Sequence, residues 1–266
     1  MITSGQNSKI KLVRALLGRA KERCDANAFV VEGVRLVEEL ETRDWRIRYV
    51  LCDASLSNRG RSLVERLRSR LIEVEEISER LMQSLSDTEA PQGILAVVEI
   101  SNLPILRQAQ DGVSNSLNFV IIPDQIRDPG NLGTLLRTAA AGGVQAVLLP
   151  PETTDAFAPK VVRAGMGAHF RLPIHAMLWD EIRAQTNGLQ IFLADMDGKA
   201  CWETDLRQPL ALIIGGEAEG ASDEARKLAA HKISIPMAGN VESLNAGVAG
   251  SVLMFEVVRQ RKWKIG

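Results

Sequence analysis

Residues 119–123, Phe-Val-Ile-Ile-Pro, form an apolar run with no polar alternation. A strand of this kind has no face suited to water. It belongs inside a parallel sheet that helices cover on both sides. Two more runs repeat the pattern, Leu-Gln-Ile-Phe-Leu-Ala at 189–194 and Leu-Ala-Leu-Ile-Ile-Gly at 210–215. Between residues 119–124 and a further apolar strand at 144–151 lies a segment with helical spacing, and strand, helix, strand is a βαβ crossover. A last strand at 231–237 and a final helix at 243–262 complete the half. The expected fold class is α/β, with a mostly parallel sheet over 118–266.

The first hundred residues alternate differently. Short apolar runs at 27–33, 48–53 and 93–100 read as strands, separated by helical segments at 34–43 and 60–70. Residues 8–24 read as one basic amphipathic helix. Together these predict a small α/β domain over 1–100, a usual size for one domain. Residues 101–117 mix Ser, Asn, Gln, Gly and Pro with little periodicity and read as a linker.

Composition narrows the function. Aromatic residues are only 4% of the chain, so stacking on many bases is not the expected binding mode. No apolar run approaches the length of a membrane span, and the polar, basic N-terminal stretch is unlike a secretory signal. Cys24, Cys52 and Cys201 are odd in number and widely spaced, which suits a reducing cytoplasm better than a disulfide framework. His169, His175 and His231 are scattered, and no metal site is expected. The net charge of −1 hides an asymmetry: residues 1–70 carry 15 Lys and Arg against 9 Asp and Glu. A basic N-terminal segment on a nearly neutral chain points to a polyanionic partner, most simply nucleic acid. Lys9, Lys11 and Arg14 are the candidate contacts.

Three turns at strand ends carry polar residues. The first is Asp128–Gly143. Asp128 and Pro129 make a helix start, and Leu132, Leu135, Leu136 and Ala139 mark the buried face. Arg137 falls on the other face beside Gly133, Thr134 and Ala141, where small side chains would let a ligand approach the backbone. A solvated surface arginine is the plain alternative. The second turn, Gly-Gly-Glu-Ala-Glu-Gly at 215–220, is not a phosphate cradle, because Glu217 would repel a pyrophosphate. A cationic or donor-rich ligand suits it better. In the third, Ser243 and Asn245 stand where the chain enters the final helix, and Ser243 is a candidate N-cap. The small residues Ala246, Gly247, Ala249, Gly250 and Ser251 then allow close packing against another helix or a second subunit.

These residues resemble a known family. Asn131–Gly143 is similar to the first motif of the SpoU (TrmH-like) branch of the SPOUT methyltransferases. Leu-Ile-Ile-Gly-Gly-Glu-Ala-Glu-Gly at 212–220 resembles the second motif, with Ala218 at a position often held by glycine. Residues 233–250 resemble the third. The N-terminal segment resembles the substrate-binding domain that precedes this catalytic domain in ribosomal RNA 2′-O-ribose methyltransferases. The resemblance implies an α/β knot, a trefoil in which the C-terminal segment threads a loop of the sheet, contrary to the usual topology rules. It implies an S-adenosylmethionine pocket lined by Gly215, Ile235, Met237 and Leu244, and a homodimer with the small-residue helix at or near its interface. It implies catalytic roles for Arg137, Asn131, Glu217, Ser243 and Asn245, with Glu217 orienting Arg137 by a salt bridge. In the family the arginine is often assigned as general base. A guanidinium is not ordinarily deprotonated, so gripping phosphate and orienting the ribose 2′-oxygen are the roles its chemistry favours.

The expectation is thus methyl transfer to a ribose 2′-hydroxyl of structured RNA, with large-subunit ribosomal RNA as target. Transfer RNA as target, and a non-catalytic RNA-binding or ribosome-assembly role, stay open as alternatives.

Overall fold

The computed structural model describes residues 1–43, 45–86, 88, 90–100, 117–217, 220–239 and 243–262. The expected linker, Leu117 apart, lies outside the described residues, as does Ala218. The described residues divide into two compact units. Residues 1–100 pack with 157–170, and the remaining described residues form the second unit.

In the first unit the elements run α1 (Ser8–Gly18), α2 (Ala20–Ala26), β1 (Ala28–Glu32), α3 (Val34–Glu41) and β2 (Ile47–Cys52). They continue with α4 (Asn58–Ser69), β3 (Val74–Glu76), α5 (Glu79–Leu85) and β4 (Ile94–Glu99). The single helix predicted over 8–24 is two. Arg19, just after Gly18, is extended at φ −123° and ψ 137°, which breaks the ladder, and the buried Arg23 donates back to the Leu16 carbonyl. The sheet order is β1-β4-β2-β3, with β4 antiparallel to both β1 and β2 and β3 parallel to β2.

Strand alternation sends side chains to two cores. Ala28, Val30, Tyr49 and Leu51 meet Ile10, Val13 and Leu16 of α1 and Leu81, Met82 and Leu85 of α5. Phe29, Val31, Val50 and Cys52 meet α3 and α4 on the opposite face. Val162 of the helix Pro159–Gly165 (α7), with Phe157 and Phe170, joins that second core. Phe157 lies 5.0 Å from the Phe29 ring and Phe170 lies 5.6 Å from Trp45.

The second unit contains β5 (Phe119–Asp124), α6 (Pro129–Gly142), β6 (Ala146–Leu149), β7 (Ile174–Ala176) and α8 (Trp179–Gln185). It continues with β8 (Gln190–Ala200), β9 (Leu210–Gly215), α9 (Asp223–Leu228), β10 (His231–Ser234) and α10 (Ala246–Lys262). The six strands are ordered β10-β8-β9-β5-β6-β7 and every neighbouring pair is parallel. On one face Val120, Ile122, Ala211 and Ile213 pack with Ile182 of α8 and Ala225 of α9. Although β10 is an edge strand, α10 packs on α6 and on the central strand β9, so the chain crosses back before α10 begins.

The small residues of α10 serve that crossing. A Cβ on Gly250 would lie only 2.3 Å from the Leu135 side chain, and one on Gly247 would lie 3.3 Å from Thr134. Ser251 and Thr138 hydroxyls meet at 2.9 Å. These small residues therefore face α6 of the same chain.

Candidate active site

The C-terminal ends of β5 and β9 lie side by side, with Asp124 in register with Gly215. Parallel sheets gather ligands at such ends. Beyond β5, Asp128 caps α6, its carboxylate accepting from the Asn131 nitrogen at 2.8 Å, with Pro129 in the first turn. Gly143 ends the helix in the left-handed region at φ 72°. Leu132, Leu135, Leu136 and Ala139 are buried and Arg137 is exposed, as the spacing predicts. Gly133 is buried instead of open, because it sits at the margin of the apolar stripe with no side chain of its own.

Three distant residues meet here. Asn131 donates its side-chain amide to Glu217 Oε1 at 2.8 Å. Asn245 donates to the same oxygen at 2.5 Å and to Asn131 Oδ1 at 2.8 Å. The Ala246 nitrogen adds a longer bond to Glu217 Oε1, at 3.3 Å. Each turn thus supplies one corner of a closed polar cluster. Asn245, not Ser243, caps α10: its Oδ1 accepts from the Val248 nitrogen and its carbonyl accepts from Ala249. Ser243 is exposed two residues earlier. A cap must stand immediately before the first helical residue, and the helix begins at Ala246.

The expected Glu217–Arg137 ion pair is absent among the described residues. Glu217 Oε1 is occupied by the two amides. Arg137 has no hydrogen-bond or ionic partner among the described residues. Beside the cluster a cavity of about 220 Å³ is lined by Gln125, Ile126, Arg127, Asp128, Asn131 and Glu217, among others.

Gly215, Ile235, Met237 and Leu244 lie on the segments that leave β9 and β10 and enter α10. A Cβ on Gly215 would come within 2.8 Å of the Ala221 nitrogen, so the turn offers backbone rather than side chains. Ile235 and Met237 are half-buried and Leu244 is 37% exposed. None of the four lines the cavity above; backbone groups and partly covered apolar side chains, with no cationic group among them, suit a ligand with a positive sulfonium and no phosphates. Cys52 and Cys201 are buried, with thiols pushed up to about 11 by burial, so neither is a nucleophile at neutral pH.

In the first unit Lys9 is not free for a polyanion. Its ammonium bonds Glu73 at 2.6 Å and Glu75 at 2.9 Å. Lys11 is exposed with no partner among the described residues. Arg14, also exposed, makes only long bonds among the described residues, to Gly5 O at 3.2 Å and Ser84 Oγ at 3.4 Å.

The SpoU rRNA methylase family matches residues 118–255, and an MRM3-like substrate binding domain matches residues 7–96. The chain belongs to the SpoU methylase family. The 23S rRNA (uridine(2479)-2′-O)-methyltransferase of Streptomyces viridochromogenes is 32% identical over 98% of this chain and 92% of its own. The 23S rRNA (guanosine(2553)-2′-O)-methyltransferase RlmP of Bacillus subtilis is 30% identical over 96% and 98%. Among solved structures, the AdoMet-bound rRNA methyltransferase of Sinorhizobium meliloti superposes with a TM-score of 0.83, at 28% identity over 99% of this chain and 98% of that one. The parallel sheet and returning α10 are therefore those of the SPOUT knot fold. The chain is an RNA 2′-O-methyltransferase that uses S-adenosylmethionine.

Proposed function

We propose that this enzyme methylates a ribose 2′-hydroxyl of 23S ribosomal RNA, with Asn131, Arg137, Glu217, Ser243 and Asn245 as its site. The observation that supports the site is the hydrogen-bonded convergence of Asn131, Glu217 and Asn245 from three separate motifs. S-adenosylmethionine, when bound, supplies a methyl group on a positive sulfur. Gly215, Ile235, Met237 and Leu244 are the residues to hold it. Arg137 grips the flanking phosphate and donates to the 2′-oxygen, which gains negative charge as its proton leaves to solvent. The cluster fixes the start of α6, and with it the direction in which Arg137 projects. Positioning of this kind carries much of the catalysis. Ser243, exposed at the entrance of α10, meets the substrate.

The first unit binds RNA through Lys11 and Arg14. The enzyme is a cytoplasmic homodimer. Val248 and Phe255 of α10 are 47% and 50% exposed at a spacing that places them on one helix face, continued by Leu244. An apolar stripe of this length suits a second copy. Among the described residues no helix is long and apolar enough to cross a membrane.

Mapping ribose methylation across total RNA, with and without the gene, tests the reading. One 23S position should lose its methyl group, and wild type but not Arg137→Ala should restore it. Loss confined to transfer RNA would overturn the target.

A further inference from the structure

Asp124 closes β5 and is 1% exposed. Its Oδ2 accepts from the Ser222 nitrogen at 2.6 Å. Ser222 is in turn the N-cap of α9, its hydroxyl accepting from the Ala225 nitrogen. Asp124 is also in register with Gly215. One carboxylate therefore stands beside the start of the turn after β9 and holds its end. The neck is tight. Gly216 N–H donates to Gly220 O at 3.0 Å, and a Cβ on Gly216 would lie 2.4 Å from the Gln125 carbonyl oxygen. Glu217 is the next residue, so any movement of the neck carries Glu217 Oε1 away from Asn131 and Asn245.

A carboxylate is a costly choice here. Burial pushes the Asp124 pKa up, the Ser222 bond opposes that, and the charges acting on it, Glu224 and Glu152, are both negative. An uncompensated buried charge weakens a fold. The second Asp124 oxygen, Oδ1, is buried with no hydrogen-bond partner among the described residues. A buried polar acceptor that costs stability beside an active site fits a role in function.

We propose that Asp124 is a positioning residue for methyl transfer, anchoring through the Ser222 N–H the turn that carries Glu217. The proposal rests on the reading of the Asn131–Glu217–Asn245 cluster given above.

The test uses the full-length enzyme and ribosomal RNA extracted from cells lacking its gene. Single-turnover methyl transfer and thermal unfolding are measured for Asp124→Ala, Asp124→Asn, Ser222→Pro and Ser222→Gly. The Ser222 φ of −65° suits proline, so Ser222→Pro removes the N–H, and Ser222→Gly controls for the lost hydroxyl cap. Asp124→Ala and Ser222→Pro should each slow transfer about tenfold or more, since small misplacements cost that much. Together they should be no slower than either alone, because both remove one bond. Asp124→Asn keeps an acceptor toward Ser222 and should stay within about threefold of wild type in rate, even where its buried amide nitrogen, left without a partner, lowers the melting temperature. Ser222→Gly should also stay close to wild type. An Asp124→Ala rate near normal, or multiplicative losses in the double variant, would overturn the proposal. Glu217→Ala runs alongside. If it too is near normal, the cluster reading fails. If it is slow while Asp124→Ala is not, only the anchoring role fails.

Discussion

Asn131 donates its side-chain amide to Glu217 at 2.8 Å across 86 positions of sequence. Neither residue is held by its own helix or strand alone. Asn131 rides on the first turn of α6, fixed by the Asp128 cap, and Glu217 rides on the turn after β9. Asn245 completes the triangle while capping α10 with its other amide atom. The cluster is a joint between three segments that a knotted chain must bring together.

A joint of this kind behaves as a unit. Asn131→Ala and Asn245→Ala should each slow single-turnover methyl transfer by more than tenfold, on the scale of lost positioning, about 1.4 kcal/mol per tenfold. The double variant should be little slower than the worse single one, because Glu217 Oε1 is already loosened. Independent, multiplicative losses would show that the two amides act separately.

Arg137→Ala should remove most methyl transfer and leave unfolding and S-adenosylmethionine affinity nearly unchanged. Its side chain is exposed and has no partner among the described residues, so the fold loses little. Arg137→Lys should behave almost like alanine if the planar two-pronged donor is what binds phosphate and orients the 2′-oxygen. Substantial activity in the lysine variant would instead assign the role to positive charge alone.

Much of this site was legible in advance, and the limits have physical causes. Asn131, Glu217 and Asn245 were visible because polar residues at the ends of apolar strands stand out. Their pairing was not, since a hydrogen bond across 86 positions leaves no periodicity. The resemblance implied a pairing of Glu217 with Arg137, whereas geometry gave the carboxylate to two neutral amides. Long strands such as β5 were legible from burial on both faces. The three-residue β3 and β7 were not, being too short and polar to register. Residues 157–170 gave no sign that they join the core of the first unit, because their partners, Phe29 and Trp45, lie more than a hundred positions away.

Lys9 and Lys11 are two residues apart yet should differ in RNA binding. Lys9 is paired with Glu73 and Glu75, while Lys11 is free among the described residues. Replacing Lys11 and Arg14 by glutamine should weaken RNA binding and flatten its salt dependence by about one unit of slope per lost phosphate contact. Lys9→Gln should leave the slope unchanged. Binding titrations between low and moderate salt decide the matter.

Asp195 gives the catalytic unit a pH-dependent element. It receives Lys232 at 2.9 Å and Arg226 at 3.5 Å. The Lys232 bond holds its carboxyl below the usual range, burial opposing. A depressed folded pKa means stability that is complete above the unfolded value, about 4, and lost as pH falls through the folded one. Lys232 is about half exposed, so screening limits the gain to roughly 0.5–1 kcal/mol. Asp195→Asn should therefore unfold earlier than wild type at neutral pH, and the gap should close as pH falls from about 4 through the lowered folded pKa. A gap independent of pH would point to packing instead.

Phe157 and Phe170 make the last prediction, which concerns cutting the chain. A fragment of residues 118–266 contains every residue assigned to the cofactor pocket, so it should bind S-adenosylmethionine without RNA. Yet the cut strips Phe157, Val162 and Phe170 of the Phe29 and Trp45 core in which they are buried or half-buried. Large apolar side chains released together drive association. The plain fragment should self-associate, and one carrying Phe157→Ser and Phe170→Ser should be more soluble while binding the cofactor equally well. In the full chain, Phe170→Ala should destabilise the first unit by about 3 kcal/mol, the usual scale for emptying a buried phenylalanine site. Denaturant unfolding followed by Trp45 fluorescence, with Trp179, Trp202 and Trp263 replaced by phenylalanine, reads this directly. An unchanged Trp45 transition would mean that residues 157–170 rest on the first unit without supporting it.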